Sequence, residues 1–267
     1  MVVSLPDRRR LDGRVALVTG VSRPIGIAAT IAQRFHELGA TVVATGWSPH
    51  DAEMPWGEQE LDPLPFEVGR HDLEDPAAPR TLIDEVVELH GRLDIVAAVH
   101  ARSSHTSLDE VTAEELDRCW AANVRSVVLL AQRFAQRHVS IPSSEPPVGR
   151  MLWFTSGQHI GPMDGEIAYA VSKGALHQMT RSIDHALSAS RIVANCINPG
   201  PVDTGYAGGE VHDTVAAMFP DRRWGTPHDV ANLAAFLVSD EGSWIRGQVI
   251  DSEGGFDRFA WHNVHDQ

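Results

Sequence analysis

RVALVTGVSRPIGIAATIAQRFHELG, residues 14–39, decides the fold. RVALVTG is a short apolar run of strand-forming residues, and IAATIAQRFHELG spaces its apolar residues as a helix does and stops at Gly39. Between them, TGVSRPIGIA is a tight turn. A strand that passes through such a turn straight into a helix offers backbone N–H groups and a helix N-terminus to an anion, the place where a dinucleotide pyrophosphate lies in an open α/β sheet. Gly20, Ser22, Arg23 and Ile25 are therefore candidate cofactor-binding residues.

Outward from this unit, β-rich runs alternate with amphipathic segments, the pattern of a parallel sheet covered on both faces. ATVVATG (40–46), LPFEVGRHDL (64–73), LDIVAAVHA (93–101), RMLWFTS (150–156), RIVANCINPG (191–200) and GQVIDSEGG (247–255) read as strands. APRTLIDEVVELHG (78–91), a long helix opening at Thr112 with Glu115 three residues on, the segment around Tyr169, and PHDVANLAAFLVSD (227–240) read as helices. Residues 47–65 have turn residues and no period, and 140–149 form a Pro/Ser loop. The fold class is α/β: a single-domain Rossmann-type, doubly wound parallel sheet in three α/β/α layers. Residues 1–12 are an N-terminal extension, 13–267 the domain, and about 201–226 a connection too long to be simple, expected to close over the substrate.

Length and composition agree with one large domain: 267 residues, 43% apolar. The net charge of −14 is spread along the chain, which disfavours nucleic acid and anionic membrane as partners. The first residues carry basic groups without an apolar run behind them, and no stretch approaches transmembrane length, so a cytoplasmic location is expected. Cys119 and Cys196 show no metal-like spacing and read as buried thiols. His262 and His265 near the C-terminus have no third ligand nearby, so no metal is expected.

YAVSK, Tyr169 to Lys173, carries the chemistry. On a helix the i,i+4 spacing puts both side chains on one face. A phenol is a poor acid at neutral pH, and an ammonium beside it favours the phenolate, so Lys173 is expected to tune Tyr169 downward. Ser156 supplies a hydroxyl to hold a carbonyl or alcohol oxygen while Tyr169 moves its proton. The remaining hydride needs a cofactor, since no amino acid carries one. Arg23 in the turn, with no acid at the tip of the second strand (TGWS), favours NADP(H) over NAD(H), because an acid there binds a ribose 2′-hydroxyl and repels a 2′-phosphate. The alternative for Arg23 is a solvated turn charge.

These motifs resemble the short-chain dehydrogenase/reductase family of the classical type, over about Gly13 to Phe256, with some likeness to 3-oxoacyl-carrier-protein reductases. The family's TGxxxGxG matches at Thr19, Gly20 and Gly26, its helical Asn at Asn123, its serine at Ser156 and its YxxxK at Tyr169 and Lys173. Its PG motif matches Pro199 and Gly200, with Val202 and Thr204 where a nicotinamide carboxamide is held. Asp72 and Leu73 match its adenine contact. The resemblance implies a reductase or dehydrogenase of carbonyl and secondary-alcohol substrates, with Asn123 organising a proton-relay water, Lys173 also a ribose ligand, and a homodimer or homotetramer paired through the helices of Asn123 and Tyr169.

Two positions depart from the family pattern. Pro24 replaces the middle glycine and removes an N–H from the turn. AVHA (98–101) replaces NNAG and sets His100 beside the expected ribose, next to Ala101; a packing role is favoured over cofactor or substrate contact. His105, Gln158, His159 and Tyr206 are candidate substrate contacts, since loops at the carboxyl ends of strands border the ligand. An enoyl reductase and a non-catalytic dinucleotide-binding regulator are the alternatives. Enoyl reductases space Tyr and Lys more widely than YxxxK, and a regulator has no need of Ser156, Tyr169 and Lys173 together.

Overall fold

The computed structural model describes residues 8–138 and 149–257. Strands β1 (Val15–Thr19), β2 (Thr41–Gly46), β3 (Val68–Arg70), β4 (Ile95–Ala98), β5 (Gly149–Phe154), β6 (Ile192–Asn198) and β7 (Val249–Asp251) form one parallel sheet in the order β3-β2-β1-β4-β5-β6-β7. The four central strands are buried along their whole length, because helices cover both faces and every side chain meets a core. On one face α1 (Ile27–Glu37) and α8 (Pro227–Val238) bring Ile31, Phe35 and Leu237 against the sheet. On the other, α3 (Ala78–His90), α5 (Ser126–Arg137) and α6 (Ile167–Leu187) contribute Leu82, Phe134 and Leu176. Trp153 of β5 is fully buried there and donates its indole N–H to the Leu176 carbonyl at 3.2 Å.

The chain leaves β1 toward β2 and β3 on one side and later fills β4 to β7 on the other, so the strand order reverses between β1 and β4. A crevice opens at the carboxyl ends of strands at such a switch point. Gly20 just after β1 adopts φ +87°, and a Cβ there would stand 2.6 Å from the His100 backbone nitrogen beyond β4, so only glycine fits.

Three expectations are corrected. The third strand spans only Val68–Arg70 rather than 64–73; Pro63 and Pro65 cannot donate to a ladder, and this strand lies at the sheet edge. The stretch 47–65 contains a short helix, α2 (Ser48–Glu53), with Pro49 in its first turn, where a missing N–H costs nothing. The long helix from Thr112 is capped as expected, Glu115 N–H donating to Thr112 Oγ1 at 3.1 Å, but α4 (Ala113–Trp120) passes through a π-helical turn, Ala121–Arg125, before α5. The connection 201–226 holds α7 (Gly209–Ala217), none of whose residues is buried. Leu11, within the residues expected to form an extension, is fully buried and donates its N–H to the Leu38 carbonyl at 2.8 Å. The Pro/Ser loop, apart from Gly149, and His262 and His265 lie outside the described residues. Among the described residues no helix is long and apolar enough to cross a membrane.

Candidate active site

A cleft of about 530 Å³ runs along the carboxyl ends of the strands and gathers most of the expected residues. Gly20, Ser22 and Arg23 border it from the turn after β1, Asp72 and Leu73 from beyond β3, and Ala101 from beyond β4. Ser156, Tyr169, Lys173, Pro199, Gly200, Val202, Thr204, His105 and Tyr206 complete it. Ile25, Asn123, Gln158 and His159 do not line it. Ile25 is exposed beside the turn. Gln158 donates back to Thr155 Oγ1 at 3.1 Å. His159 pairs with Asp251 at 3.0 Å and packs against the His177 ring.

Tyr169 and Lys173 sit one turn apart on α6, with Lys173 Nζ 5.4 Å from the centre of the Tyr169 ring. The ammonium donates to the Phe154 carbonyl at 2.8 Å, and burial lowers its pKa to about 8. The expected downward pull of Lys173 on the phenol is not found. Burial raises the Tyr169 pKa, the Glu166 carboxylate adds to the rise, and a hydrogen bond with Ser156 acts the other way. Desolvation, which disfavours each charged form, is the largest cause at both residues. Ser156 Oγ also reaches the Met163 sulfur at 3.9 Å.

Asn123 has no free amide group toward the cleft. Its Oδ1 accepts from the Arg102 N–H at 2.7 Å, and its Nδ2 donates to the Arg102 carbonyl at 3.0 Å and to Ser172 Oγ at 2.8 Å. The π-helical turn thereby ties the loop that follows Ala101 to α6.

The half of the cleft around the glycine turn has a construction that fits an anionic group. Gly26 caps α1 without any side-chain partner for the first-turn N–H groups, and Gly26, Ile27 and Ala28 line the cleft. Pro24 leaves Arg23 turned inward rather than solvated: its guanidinium donates to the Thr204 carbonyl and lies 5.1 Å from the centre of the Trp56 ring. Burial lowers the Arg23 pKa, and the Asp51 carboxylate counters it. The missing acid at the tip of β2 has a packing cause, since a Cβ on Gly46 would run into the Val21 carbonyl. An acid nevertheless reaches the cleft from α2, where buried Asp51 accepts the Trp56 indole N–H at 2.8 Å.

Sequence reasoning missed Trp47, His50, Asp51 and Trp56, all of which line the cleft, because a stretch without period gives no hint that it folds over a site. A network built on buried Arg102 holds this segment down: Arg102 meets Glu53 at 2.9 Å and Glu74 at 3.3 Å, and His50 Nε2 accepts the Ser103 N–H at 3.0 Å. Met163, Glu166, Trp224 and Phe256 were also missed.

His100 lines the cleft and is tied to the elements around it. Its Nδ1 lies 2.6 Å from Thr19 Oγ1, and its Nε2 lies 3.0 Å from the Ala122 carbonyl and 2.8 Å from Ser126 Oγ. A carbonyl accepts only, so Nε2 carries the hydrogen and Nδ1 accepts from Thr19. Burial, and then the Lys173 charge, lower its pKa to about 3. A histidine held neutral contributes stability that is complete above its unfolded pKa of about 6.5 and is lost as pH falls toward 3. Between pH 7.5 and 5 the loss from this residue is up to about 2 kcal/mol, lessened by water reaching the ring through the cleft. Urea unfolding of wild type and His100→Gln at both pH values checks this: the variant is expected to lose less stability, and equal losses would contradict it.

Comparison with known proteins follows the same lines. The profile of a family described as Enoyl-(Acyl carrier protein) reductase matches residues 20–257. An uncharacterized oxidoreductase of Bacillus subtilis (strain 168), YjdA, is 37% identical over 250 residues, covering 92% of this chain and 97% of that protein. A short-chain dehydrogenase from Burkholderia cenocepacia J2315, solved in complex with NADP, is 31% identical with a TM-score of 0.78, covering 92% and 98%. The angucycline C-6 ketoreductase LanV, solved with bound NADP, is 28% identical with a TM-score of 0.77, covering 92% and 96%.

Proposed function

Because the chain belongs to the short-chain dehydrogenase/reductase family, we propose that it is an NADP(H)-dependent reductase of a carbonyl group, running in reverse on a secondary alcohol. The observation that carries this is the convergence of Ser156, Tyr169 and Lys173 on a cleft whose other half is the glycine turn at the switch point. When bound, the nicotinamide supplies or accepts the hydride. Ser156 holds the substrate oxygen, and Tyr169 gives it a proton. A phenol kept protonated by burial and by Glu166 is ready to donate at neutral pH, and an alkoxide forming on the substrate is basic enough to take the proton. Lys173 holds positive charge beneath the phenol, and the segment 201–226 covers the substrate within a domain of residues 13–267. The two NADP-bound relatives support the cofactor assignment.

The profile's description favours a second reading, enoyl reduction. The one-turn separation of Tyr169 and Lys173 argues for the carbonyl. NADPH oxidation with ketones and matched enones separates the readings: a product that keeps its carbonyl and loses its double bond would overturn the first.

Arg23 is expected to set cofactor choice. Its cation lines the cleft and would hold a 2′-phosphate, and a charge-assisted bond is worth roughly 1.5–3 kcal/mol, about ten- to a hundredfold in binding. Arg23→Ala should weaken NADPH by that factor and NADH much less, and Asp51→Asn should strengthen NADPH by removing a competing carboxylate. Fluorescence titration of both cofactors decides: equal losses in Arg23→Ala would mean that Arg23 never meets the phosphate and serves only Thr204 and Trp56.

A further inference from the structure

We propose, resting on the carbonyl-reductase reading, that the substrate is a free, uncharged carbonyl compound bearing a flat apolar ring system, and not an acyl group carried on coenzyme A or a carrier protein. Two independent features of the substrate end of the cleft point there.

The first is its surface. Met163, Tyr206, Val211, Val215, Trp224 and Phe256 line the cleft together with Tyr169. Trp224 is buried and fixed by its indole N–H to the His212 carbonyl at 2.9 Å, with the His212 ring stacked on it at 5.3 Å and 12°. Tyr206 meets Trp224 edge-on at 5.6 Å and 76°, and is itself half exposed. Such a corner offers aromatic faces and edges to a planar partner. A linear acyl chain makes no use of that geometry.

The second is charge. Residues 103–111, 157–168 and 199–226, which flank this end, carry eight acids, Asp109, Glu110, Asp164, Glu166, Asp203, Glu210, Asp213 and Asp221, against two cations, Arg222 and Arg223, the latter paired with Asp229 at 2.9 Å; of all these, only Glu166 lines the cleft itself. The field reaches the reacting oxygen, since Glu166 acts on the Tyr169 phenol. The cations that line the cleft, Arg23, Arg102 and Lys173, stand on the dinucleotide side or beneath the phenol. A phosphopantetheine arm and an acidic carrier surface need cations at the mouth of the site, and complementary potential decides which partners approach.

The test uses the full chain with 2-tetralone, a carboxylated 2-tetralone and acetoacetyl-CoA. NADPH oxidation is expected to show kcat/KM at least tenfold higher for 2-tetralone than for acetoacetyl-CoA. Calorimetric titration, with and without NADP⁺, should show 2-tetralone binding at least tenfold more tightly than its carboxylate. Tyr206→Ala should raise KM for 2-tetralone about tenfold. Equal or better use of acetoacetyl-CoA, equal binding of the carboxylate, or an unchanged KM in Tyr206→Ala would each overturn the proposal. The titrations judge it even where no carbonyl is turned over, an outcome that would sink only the carbonyl-reductase reading.

Discussion

Tyr169→Phe is expected to lower kcat for carbonyl reduction by about three orders of magnitude, within the range proton transfer contributes, while the protein folds and binds cofactor as before. The substitution removes one hydroxyl and leaves the ring that packs above Lys173. The chain has only two tyrosines, and the other, Tyr206, belongs to the outer aromatic corner, so no second phenol can take over. The raised Tyr169 pKa adds a directional signature. Reduction needs the protonated phenol, which is present throughout the neutral range, so its rate should be insensitive to the phenol between pH 6 and 8. Oxidation of an alcohol needs the phenolate and should climb steadily with pH. Single-turnover rates and NADPH titrations of the variant check the first point, and a variant that keeps its turnover would remove Tyr169 from the chemistry. Oxidation that peaks at neutral pH would contradict the second.

Lys173→Met is expected to abolish useful turnover and yet to make the protein more stable. The ammonium is almost completely buried, with the Phe154 carbonyl as its hydrogen-bond partner and a pKa lowered to about 8. A lysine with a depressed folded pKa is charged in both states below pH 8 and carries its full burial cost there. Between about pH 8 and 10.5 the unfolded chain holds the extra proton, so the cost fades as pH rises through that window. The cost amounts to up to about 3 kcal/mol, reduced in the variant by the Phe154 carbonyl left without its donor. Denaturant unfolding at pH 7 should therefore show the variant more stable than wild type, with the gap closing by pH 10. Comparison against wild type is needed because the thiols of Cys119 and Cys196, raised by burial to about 11 and 12, destabilise the folded state over the same alkaline range. A variant less stable than wild type at pH 7 would show that the ammonium supports the fold.

The cleft's chemical core was legible in the sequence because it rests on fixed local spacings. A strand, a glycine turn and a helix in succession place Gly20 and Gly26, and i,i+4 spacing places Tyr169 over Lys173, whatever the rest of the chain does. The sign of the Tyr169 shift was not legible, since it depends on how deeply the phenol is enclosed and on Glu166, three residues earlier, facing the same space. Arg23 stood out in the sequence by its place in the turn, but its partners Thr204, Trp56 and Asp51 come from segments 181, 33 and 28 positions away. Only tertiary folding joins them. The helix within 47–65 escaped notice because its six residues are too few to show a period. His159 looked like a substrate contact from its distance to Ser156, yet the short 3₁₀ turn Gly157–His159 swings it to Asp251.

Helix α7 contributes no side chain to either core. Its neighbours, Met218 and Phe219, are the buried anchors that follow it. Apart from His212, whose ring stacks on Trp224, the side chains of Gly209–Ala217 can change with little loss of core packing. Changes of this helix that keep His212 alter the lining that Val211 and Val215 give the cleft without calling for compensating mutations in the sheet. The same separation makes α7 a site for grafting: a foreign segment of equal length, joined before Gly209 and after Ala217 and keeping a histidine at 212, leaves Ser156, Tyr169 and Lys173 in place.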